Sequence, residues 1–490
     1  MLTATPTQPQ SSLPLYVDLD GTLIKTDLLL ESLLLLLKKN PFYVFALPFW
    51  LLAGRARFKA KIAARVSVSY EMLPLNSEFL SFLRSEKTKG RHLVLISASN
   101  ENMVAAFAHN LDLFDKAVGS DYHTNLKANA KLQRINEMNA NAPFAYAGNA
   151  SADLPIWQQA QEIIRVNCSN SLAQDLAANK PRQDFDMPGS RWPLLWQAMR
   201  PHQWLKNGLL FIPLLLAHQL DDMHALQHAA IGFLCFCLLA SSVYLINDLL
   251  DLEADRRHTN KRSRPLAAGA LPIQHGAAAA VVLFTAALLL AHLQPLAFVE
   301  ALGAYWLLTL CYSFLLKRIF LLDLFSLASL YTLRLIAGAG AGSVVASPWL
   351  LAFSMALFFG LGAVKRVTEL VNKGELETER IDSEQEASFT LPGRAYSSQH
   401  RELLIRLGTA ASAIAVLVFL LYIYAEETMA LYSSPLILWP IVGLLGLILF
   451  RVWRFAITGK LHEDPVLFAI SDHPSQIATA LMFLVLWLAI

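Results

Sequence analysis

Hydrophobic residues follow two different patterns along this chain, and the pattern changes near residue 190. Before that point, short apolar runs such as LPLYVDLD, HLVLISAS and PFAYAGN alternate with polar stretches, which predicts strands alternating with helices. After it, the apolar runs lengthen to roughly 17 to 25 residues, the length of a helix that crosses a bilayer. We therefore predict an N-terminal α/β domain followed by an all-α membrane domain.

The long apolar runs predict nine transmembrane helices. They are residues 204–220, 227–248, 273–292, 296–316, 320–338, 347–365, 406–425, 435–453 and 474–490. Lysine and arginine test the count, because cytoplasmic loops retain positive charge. The odd-numbered connections contain neither residue, whereas the even-numbered ones hold nearly all of them. We predict a multi-pass protein of the inner (cytoplasmic) membrane, its N-terminal domain cytoplasmic and its C-terminus outside.

Composition and charge agree with two unlike domains, which we place at residues 1–180 and 196–490, joined by a polar linker at 181–195. The chain is 55% hydrophobic and 16% charged, which disfavours an ordinary soluble globule. Its 40 basic and 38 acidic residues leave a net charge of +2, so nucleic acid is not an expected partner. The expected partner is the lipid bilayer, and a homo-oligomer stays open.

A carboxylate pair closes the first apolar strand, in the stretch YVDLDGT. Asp18 and Asp20 stand two residues apart and are followed by Gly21 and the hydroxyl of Thr22. Ligands bind at the carboxyl ends of strands in α/β sheets. A carboxylate there can attack phosphorus when a metal ion neutralises the repulsion. The stretch closely resembles the signature of the haloacid dehalogenase (HAD) phosphatases.

That resemblance implies a HAD-like Rossmannoid domain with a Mg²⁺-dependent phosphatase site. Its further motifs follow in order in HLVLISAS, NLKANAK and YAGNASADLP. By analogy Asp18 is the nucleophile and Asp20 the general acid and base. The other implied site residues are Thr22 and Ser97 at the phosphate, Lys127 as the cation, and Asp18, Asp20, Asn149 and Asp153 at Mg²⁺. Asn149 stands where many members have Asp, so reduced activity, altered specificity or a decayed scaffold stays open.

Residues 27–75 occupy the position of a helical HAD cap. The insertion is unusually apolar, with aromatic residues between 42 and 50 and a basic run from 55 to 65. Pro41 and Pro48 break it into stretches too short to span a membrane, which fits a hairpin on the bilayer surface facing anionic lipid. An ordinary cap core is the alternative. On the membrane interpretation, the phosphatase acts on a lipid-linked phosphate.

A second acidic cluster follows the second predicted span, in NDLLDLEADRRHTNKRSRP. Asn247, Asp251 and Asp255 are spaced i, i+4 and i+8, which places them on one face of a helix, with Asp248 beside the first. Carboxylates this close repel one another unless they hold divalent cations, and Mg²⁺ carrying a diphosphate suits such oxygen ligands. With the spans, residues 195–490 closely resemble the UbiA-type intramembrane prenyltransferase superfamily.

The stretch GAVKRVTEL indicates which branch of that superfamily the chain resembles. Aromatic prenyltransferases have a second Asp-rich motif there, whereas this chain has Lys365, Arg366 and Glu369, and cations favour additional phosphate groups. With RPHQWLKN at 200–207, the pattern resembles the decaprenyl-phosphate phosphoribosyltransferase branch. The implied metal residues are Asn247, Asp248, Asp251 and Asp255, and of these Asp251 and Asp255 are also implied to be catalytic. The implied substrate contacts are Lys206, Asn207, Lys261, Arg262, Arg264, Asp323, Arg334, Lys365, Arg366 and Glu369. We expect Arg334 either to orient the acceptor phosphate or to pair with Asp323.

These resemblances imply a bifunctional Mg²⁺ enzyme. One site transfers 5-phosphoribose from phosphoribosyl diphosphate (PRPP) to a polyprenyl phosphate of the decaprenyl type, releasing pyrophosphate. The other removes the 5-phosphate, which gives polyprenyl-phosphoryl ribose, a precursor class for arabinan-type glycans of the cell envelope. The alternatives are an aromatic prenyltransferase of quinone synthesis, a non-catalytic membrane scaffold, or a transferase whose HAD domain acts on another phosphate or is inactive.

Overall fold

The computed structural model describes residues 13–168, 182–185, 189–378, 389–391, 393–461 and 465–489. These residues form two compact units. Unit 1 comprises residues 1–200 and 241–282, and unit 2 comprises residues 201–240 and 283–490. Residues 181 and 186–188 of the predicted linker lie outside the described part of the chain. The acidic loop after residue 247 therefore belongs to the same unit as the α/β domain.

Unit 1 is built on a parallel sheet whose six described strands run in the order β3-β2-β1-β4-β5-β6. The strands are β1 (Leu15–Val17), β2 (Leu93–Asn100), β3 (Lys116–Ser120), β4 (Ala145–Gly148), β5 (Glu162–Val166) and β6 (Arg182–Phe185). Successive side chains of a strand point to opposite faces. Leu15 and Val17 accordingly join one buried cluster, while Tyr16 joins the cluster on the other face. Because both faces are covered at the centre of the sheet, β1 and β4 are buried along their whole length.

Helices connect the strands and form the cap. They are α1 (Leu28–Lys39), α2 (Tyr43–Leu52), α3 (Arg55–Ala63), α4 (Ser77–Thr88), α5 (Glu101–Leu111), α6 (Asn129–Met138), α7 (Leu154–Gln159) and α8 (Trp192–Met199). α1 begins where the Asp27 side chain accepts a hydrogen bond from the backbone N–H of Leu30 (3.0 Å), which satisfies one of the donors that every helix start leaves free. The predicted α/β domain is thus present, and residues 27–75, the predicted cap, contain the helices α1, α2 and α3.

The rest of the chain is helical in its described parts. A 3₁₀ helix at Pro201–Phe211 precedes α9 (Ile212–Leu216), α10 (Met223–Leu250), α11 (Leu252–Arg257), α12 (Ile273–Ala291), α13 (Leu296–Phe314), α14 (Leu322–Ala341), α15 (Pro348–Thr378), α16 (Arg401–Ile423), α17 (Glu426–Leu431), α18 (Trp439–Ile457), α19 (Pro465–Ser471) and α20 (His473–Ala489). Several of these helices are apolar over a bilayer's thickness, so the chain is an integral membrane protein.

Among the described residues, seven helices, rather than the predicted nine, are long and apolar enough to cross a membrane. The first predicted span, 204–220, is instead a 3₁₀ helix followed by a five-residue α-helix. Pro213 lies at this junction, and proline has no backbone N–H for an α-helical hydrogen bond to the preceding turn. The last predicted span corresponds to α20, whose 17 residues are apolar but short; its final residue, 490, lies outside the described residues.

Close helix packing in unit 2 depends on a glycine in α14. A Cβ atom at Gly338 would lie 2.1 Å from the carbonyl oxygen of Leu210, in the 3₁₀ helix. Small residues allow helix backbones to approach in this way inside membranes. The approach holds the RPHQWLKN segment against the helix that carries Arg334.

Candidate functional site

The first candidate site lies at the carboxyl ends of β1 and β4, where the strand order of the sheet reverses. β1 ends at Val17, and Asp18 and Asp20 follow it directly. The backbone N–H of Asp18 donates to the carbonyl of Ala147 on β4 (2.9 Å). Ligands of open α/β sheets bind at such a switch point. The fold therefore presents the predicted carboxylate pair at the expected position.

Asp20 is held by three donors. The hydroxyls of Ser97 and Ser99 each donate to its Oδ2 (2.8 Å), and the backbone N–H of Leu28 donates to its Oδ1 (2.8 Å). We expected Ser97 to contact phosphate, but its side chain is fully buried and its hydroxyl donates to Asp20 instead. Sequence reasoning missed Ser99; the available signal was its i+2 spacing from Ser97, which places both on one face of β2.

The cation at this site is Lys131, and this corrects the prediction of Lys127. Lys131 Nζ donates to Asp18 Oδ1 at 2.8 Å and lies 3.8 Å from Asp153 Oδ1, and its side chain is buried. Lys127 is exposed, just before α6 begins at Asn129. NLKANAK contains both lysines. The distinguishing signal was that Lys131 and Ile135, four residues apart, share the buried face of α6.

The buried charges perturb one another. Burial raises the pKa of Asp18 to about 7; Lys131 opposes that rise, and Asp153 and Asp20 add to it. Burial lowers the pKa of Lys131, but the carboxylates of Asp18 and Asp153 outweigh it, so the pKa stands above its ordinary value. A carboxylate whose proton affinity is tuned by neighbours in a cleft is typical of a functional site.

Thr22 and Asn149 border the same turn. The Thr22 hydroxyl oxygen is buried and has no hydrogen-bond partner within the described part of the chain. Gly21 has φ +75°, and a Cβ there would lie 2.0 Å from Asn149 Nδ2, so only glycine fits. The unpaired hydroxyl of Thr22 suits the predicted contact with a phosphate oxygen, because a buried hydroxyl without a partner is otherwise costly.

Asp153 is occupied by protein donors. Tyr146 Oη donates to its Oδ1 (2.7 Å), and the backbone N–H groups of Asn149 and Ala150 donate to its Oδ2 (3.1 and 3.0 Å). In the described ranges no group of three or more His, Cys, Asp or Glu side chains is arranged to hold a metal ion. Oxygen donors of the kind that Mg²⁺ takes are present at Asp18, Asp20 and Asn149. Asp20 and Asp153 each accept three hydrogen bonds from the protein, so these contacts do not separate the two carboxylates as ligands, and the predicted set of Asp18, Asp20, Asn149 and Asp153 suits Mg²⁺ in its donor chemistry.

The second acidic cluster also lies in unit 1, at the junction of α10 and α11. α10 ends at Leu250, and Asp251 adopts a non-helical φ of −106° before α11. Asp248 and Asp255 both accept from Arg264 Nη1 (3.1 and 2.6 Å). Backbone hydrogen bonds of the α-helical kind continue through Asp251, from its N–H to the Asn247 carbonyl (2.9 Å) and from the Asp255 N–H to the Asp251 carbonyl (2.8 Å), so the i, i+4, i+8 spacing is kept across the junction.

Basic side chains neutralise this cluster. Arg200 Nη2 donates to Asp248 Oδ1 (2.5 Å), and Lys38 Nζ, from the cap helix α1, donates to Asp251 Oδ1 (2.7 Å). Lys261 is half-buried and Arg262 is exposed in the loop that follows. Sequence reasoning did not assign Arg200 or Lys38 to this site, although Arg200 opens the RPHQWLKN motif.

Arg334 forms the first polar cluster of unit 2. Its guanidinium donates to Asn207 Oδ1 (2.9 Å), to the Leu330 carbonyl (2.7 Å) and to Tyr305 Oη (3.0 Å). It lies over the rings of Tyr305 (4.8 Å) and Tyr331 (5.3 Å). Lys206 Nζ also lies over the Tyr331 ring, at 6.0 Å. The structure thus brings together three predicted residues, Lys206, Asn207 and Arg334, around two tyrosines that the sequence did not single out.

Asp323 pairs with Arg366, which contradicts the alternative that Arg334 pairs with Asp323. Arg366 Nε donates to Asp323 Oδ2 (2.5 Å), and its Nη1 donates to both oxygens of Glu369 (2.8 Å). The side chains of Asp323 and Arg366 are both completely buried. Arg394 adds a second cation, 3.3 Å from Asp323. The predicted phosphate contacts Arg366 and Glu369 therefore belong to a buried ion-pair network, and Lys365, half-buried, lies beside it.

Both parts of the chain match known families. Residues 209–487 match the UbiA prenyltransferase family, and residues 15–158 match haloacid dehalogenase-like hydrolases. The uncharacterized protein y4nM of Sinorhizobium fredii is 35% identical over 476 residues, which cover 96% of this chain and 90% of that protein. Both resemblances inferred from the sequence motifs are thereby confirmed.

A narrower similarity concerns the membrane domain. The decaprenyl-phosphate phosphoribosyltransferase of Mycolicibacterium smegmatis is 36% identical over 183 residues, which cover 36% of this chain and 57% of the relative. A solved structure of a UbiA homolog from Archaeoglobus fulgidus, bound to GPP and Mg²⁺, covers 60% of this chain and 99% of its own, with 18% identity and a TM-score of 0.41.

Proposed function

Because the chain belongs to the UbiA prenyltransferase family and carries an N-terminal haloacid dehalogenase-like hydrolase domain, we propose that it is a bifunctional enzyme of lipid-linked sugar synthesis. It transfers 5-phosphoribose from PRPP to a polyprenyl phosphate and then removes the 5-phosphate from the product. The observation that carries the proposal is that the buried pair of Asp18 and Lys131 and the acidic cluster after residue 247 belong to one compact unit.

For the transferase, the proposal rests on the cluster around Asp248 and on the relatives that transfer phosphoribose. Asn247, Asp248, Asp251 and Asp255 would hold Mg²⁺, which would neutralise the diphosphate of PRPP as it leaves. Arg200 and Arg264 already lie against these carboxylates, so they are placed to bind phosphate oxygens. The acceptor needs no strong general base, because a phosphate monoester is already anionic.

For the phosphatase, the chemistry follows from the contacts of Asp18. Its carboxylate attacks phosphorus and forms an acyl phosphate, while Lys131 and the Thr22 hydroxyl balance charge on the phosphoryl oxygens. Asp20, held by Ser97 and Ser99, delivers a proton to the leaving ribose oxygen and later takes one from water. Mg²⁺ at Asp18, Asp20, Asn149 and Asp153 would supply further charge neutralisation, and Asn149 would bring one less negative charge than Asp.

The orientation belongs to the same proposal. Lysine and arginine accumulate in the loop that follows α10, and this loop belongs to the same unit as the N-terminal domain, which supports a cytoplasmic position for both. PRPP would then reach the transferase from the cytoplasm, and the phosphorylated lipid would be released on the side that holds the phosphatase. Linking the two sites in one chain raises the effective concentration of the second site to roughly millimolar.

The experiment incubates the purified full-length protein with radiolabelled PRPP, Mg²⁺ and decaprenyl phosphate, and follows lipid-extractable label. We expect labelled lipid without a 5-phosphate. Asp251→Asn should abolish labelling, while Asp18→Asn should leave labelling intact and accumulate the phosphorylated lipid. Asp221→Asn, an exposed aspartate outside both clusters, is the matched control.

Two results would contradict the proposal separately. If no label enters lipid with the wild-type protein, the transferase assignment fails. If the wild-type product retains its 5-phosphate as in Asp18→Asn, the phosphatase acts on a different molecule or is inactive.

A further inference from the structure

Helix α2 of the cap is apolar, and six of its ten residues are exposed. None of its ten residues is buried. Phe45 and Phe49 are 71% and 72% exposed, and the neighbouring Phe42 and Leu52 are 75% and 86% exposed. Soluble surfaces seldom carry so many contiguous exposed apolar side chains, and such a patch marks an interaction site. The ordinary alternative, a cap core, requires these side chains to be buried within the cap, and they are not.

The contacts of α1 place α2 beside the end of a membrane span. Glu31, in the first turn of α1, pairs with Arg256 (2.6 Å), and Lys38, in its last turn, pairs with Asp251 (2.7 Å). Asp251 directly follows Leu250, the last residue of the candidate span α10. α1 therefore runs from the loop toward the end of the span. Three residues separate α1 from α2, a reach of at most about 10 Å.

The charge around α2 has one sign. No acidic residue occurs from 32 to 70, while seven lysines and arginines do. Arg65 and Lys61 lie over the Trp50 ring, at 4.8 and 5.8 Å. Arg55 and Arg57 are exposed at the start of α3. A basic rim around exposed aromatic residues is complementary to anionic lipid headgroups, and tryptophan favours the membrane–water interface.

We propose that α2 lies in the headgroup layer of the bilayer that holds this chain's own spans. Its apolar side chains enter the boundary of the acyl chains, and the exposed Arg55 and Arg57 of α3 contact anionic headgroups. Because α2 belongs to the cap of the hydrolase domain, this position of α2 keeps the site of Asp18 at the membrane surface. If the domain is the proposed phosphatase, on which this inference rests, its position at the membrane favours a phosphate that is attached to a lipid over a phosphate in free solution.

The test measures the depth of α2 in lipid and contains no catalytic step. The full-length protein carries Cys311→Ser, which removes the exposed cysteine, while Cys168, Cys235 and Cys237 are buried. A polarity-sensitive fluorophore is attached to Phe45→Cys or, independently, to Phe49→Cys. The protein is reconstituted into nanodiscs of phosphatidylcholine and phosphatidylglycerol, with and without bromine on the acyl chains.

The matched control is Gln133→Cys, an exposed position on α6 of the same domain. We expect brominated lipid to remove most of the emission from both α2 positions and none from the control. Emission from both α2 positions that is unaffected by bromine overturns the proposal. A blue-shifted emission without quenching by bromine also overturns it, because another protein surface then covers α2.

The same measurement on the Asp18→Asn variant separates this inference from the proposed function. Quenching at α2 should persist in that variant, since it depends on no reaction. An inactive phosphatase with quenched α2 labels contradicts the proposed activity alone. An active phosphatase with unquenched labels contradicts the membrane position alone.

Discussion

Lys131 is buried against Asp18, whereas Lys127, four residues earlier, is exposed. We expect Lys131→Ala to lower the phosphatase rate by about 10²–10³-fold, because a buried donor aimed at developing charge contributes that much. Lys127→Ala, the matched control, should keep a rate close to that of the wild type. Hydrolysis of 4-nitrophenyl phosphate measures both. Equal losses in the two variants would contradict the assignment of the cation.

The buried pair of Asp323 and Arg366 gives a second prediction at this scale. Asp323→Ala leaves a completely buried guanidinium without its closest carboxylate, and breaking a buried ion pair costs about 3–5 kcal/mol. Glu402→Ala, which removes the exposed partner of Arg406, should change stability little. Thermal unfolding in detergent compares the two variants. A similar small shift for both would show that Arg366 does not depend on Asp323.

At the scale of elements, α14 depends on a small residue where it meets the 3₁₀ helix. Gly338→Ala places a methyl group against the Leu210 carbonyl, and overpacking of this kind costs about 1–3 kcal/mol. Gly303→Ala, on α13, is the control, because a Cβ there meets nothing within 4 Å. We expect only Gly338→Ala to lower the unfolding temperature. Gly303→Ala should not lower it, because alanine has a higher helix propensity than glycine. Equal behaviour of the two variants would contradict the close approach.

At the scale of the molecule, unit 1 joins the N-terminal domain to the loop that carries the second acidic cluster. Glu31 and Arg256, both nearly buried, form this connection. A double-mutant cycle with Glu31→Ala and Arg256→Ala should give a coupling free energy of about 0.5–3 kcal/mol. The matched cycle pairs Glu31→Ala with Arg134→Ala, an exposed arginine on α6, and should be additive. Additivity in both cycles would contradict the shared unit.

Much of the architecture follows from the sequence, because local patterns carry it. Alternating short apolar runs indicate a sheet covered on both faces, and long apolar runs indicate helices that cross a membrane. The order of the motifs around Asp18 identifies the hydrolase domain, and the acidic cluster with its basic loop identifies the UbiA family. Each of these signals lies within a few residues, so it needs no knowledge of distant contacts.

Only the tertiary structure determined which side chains pair with one another in hydrogen bonds and ion pairs. Lys127 and Lys131 share one motif, and only the packing of α6 against the sheet buries the second. Asp323 lies closer in sequence to Arg334 than to Arg366, but the packing of α14 against α15 pairs it with Arg366. The spacing of Asn247, Asp251 and Asp255 predicts one helical face, but it does not predict that Asp251 pairs with Lys38 of the cap. The physical reason is common to all three: hydrogen-bond and ion-pair partners depend on which faces meet, and residues distant along the chain determine that.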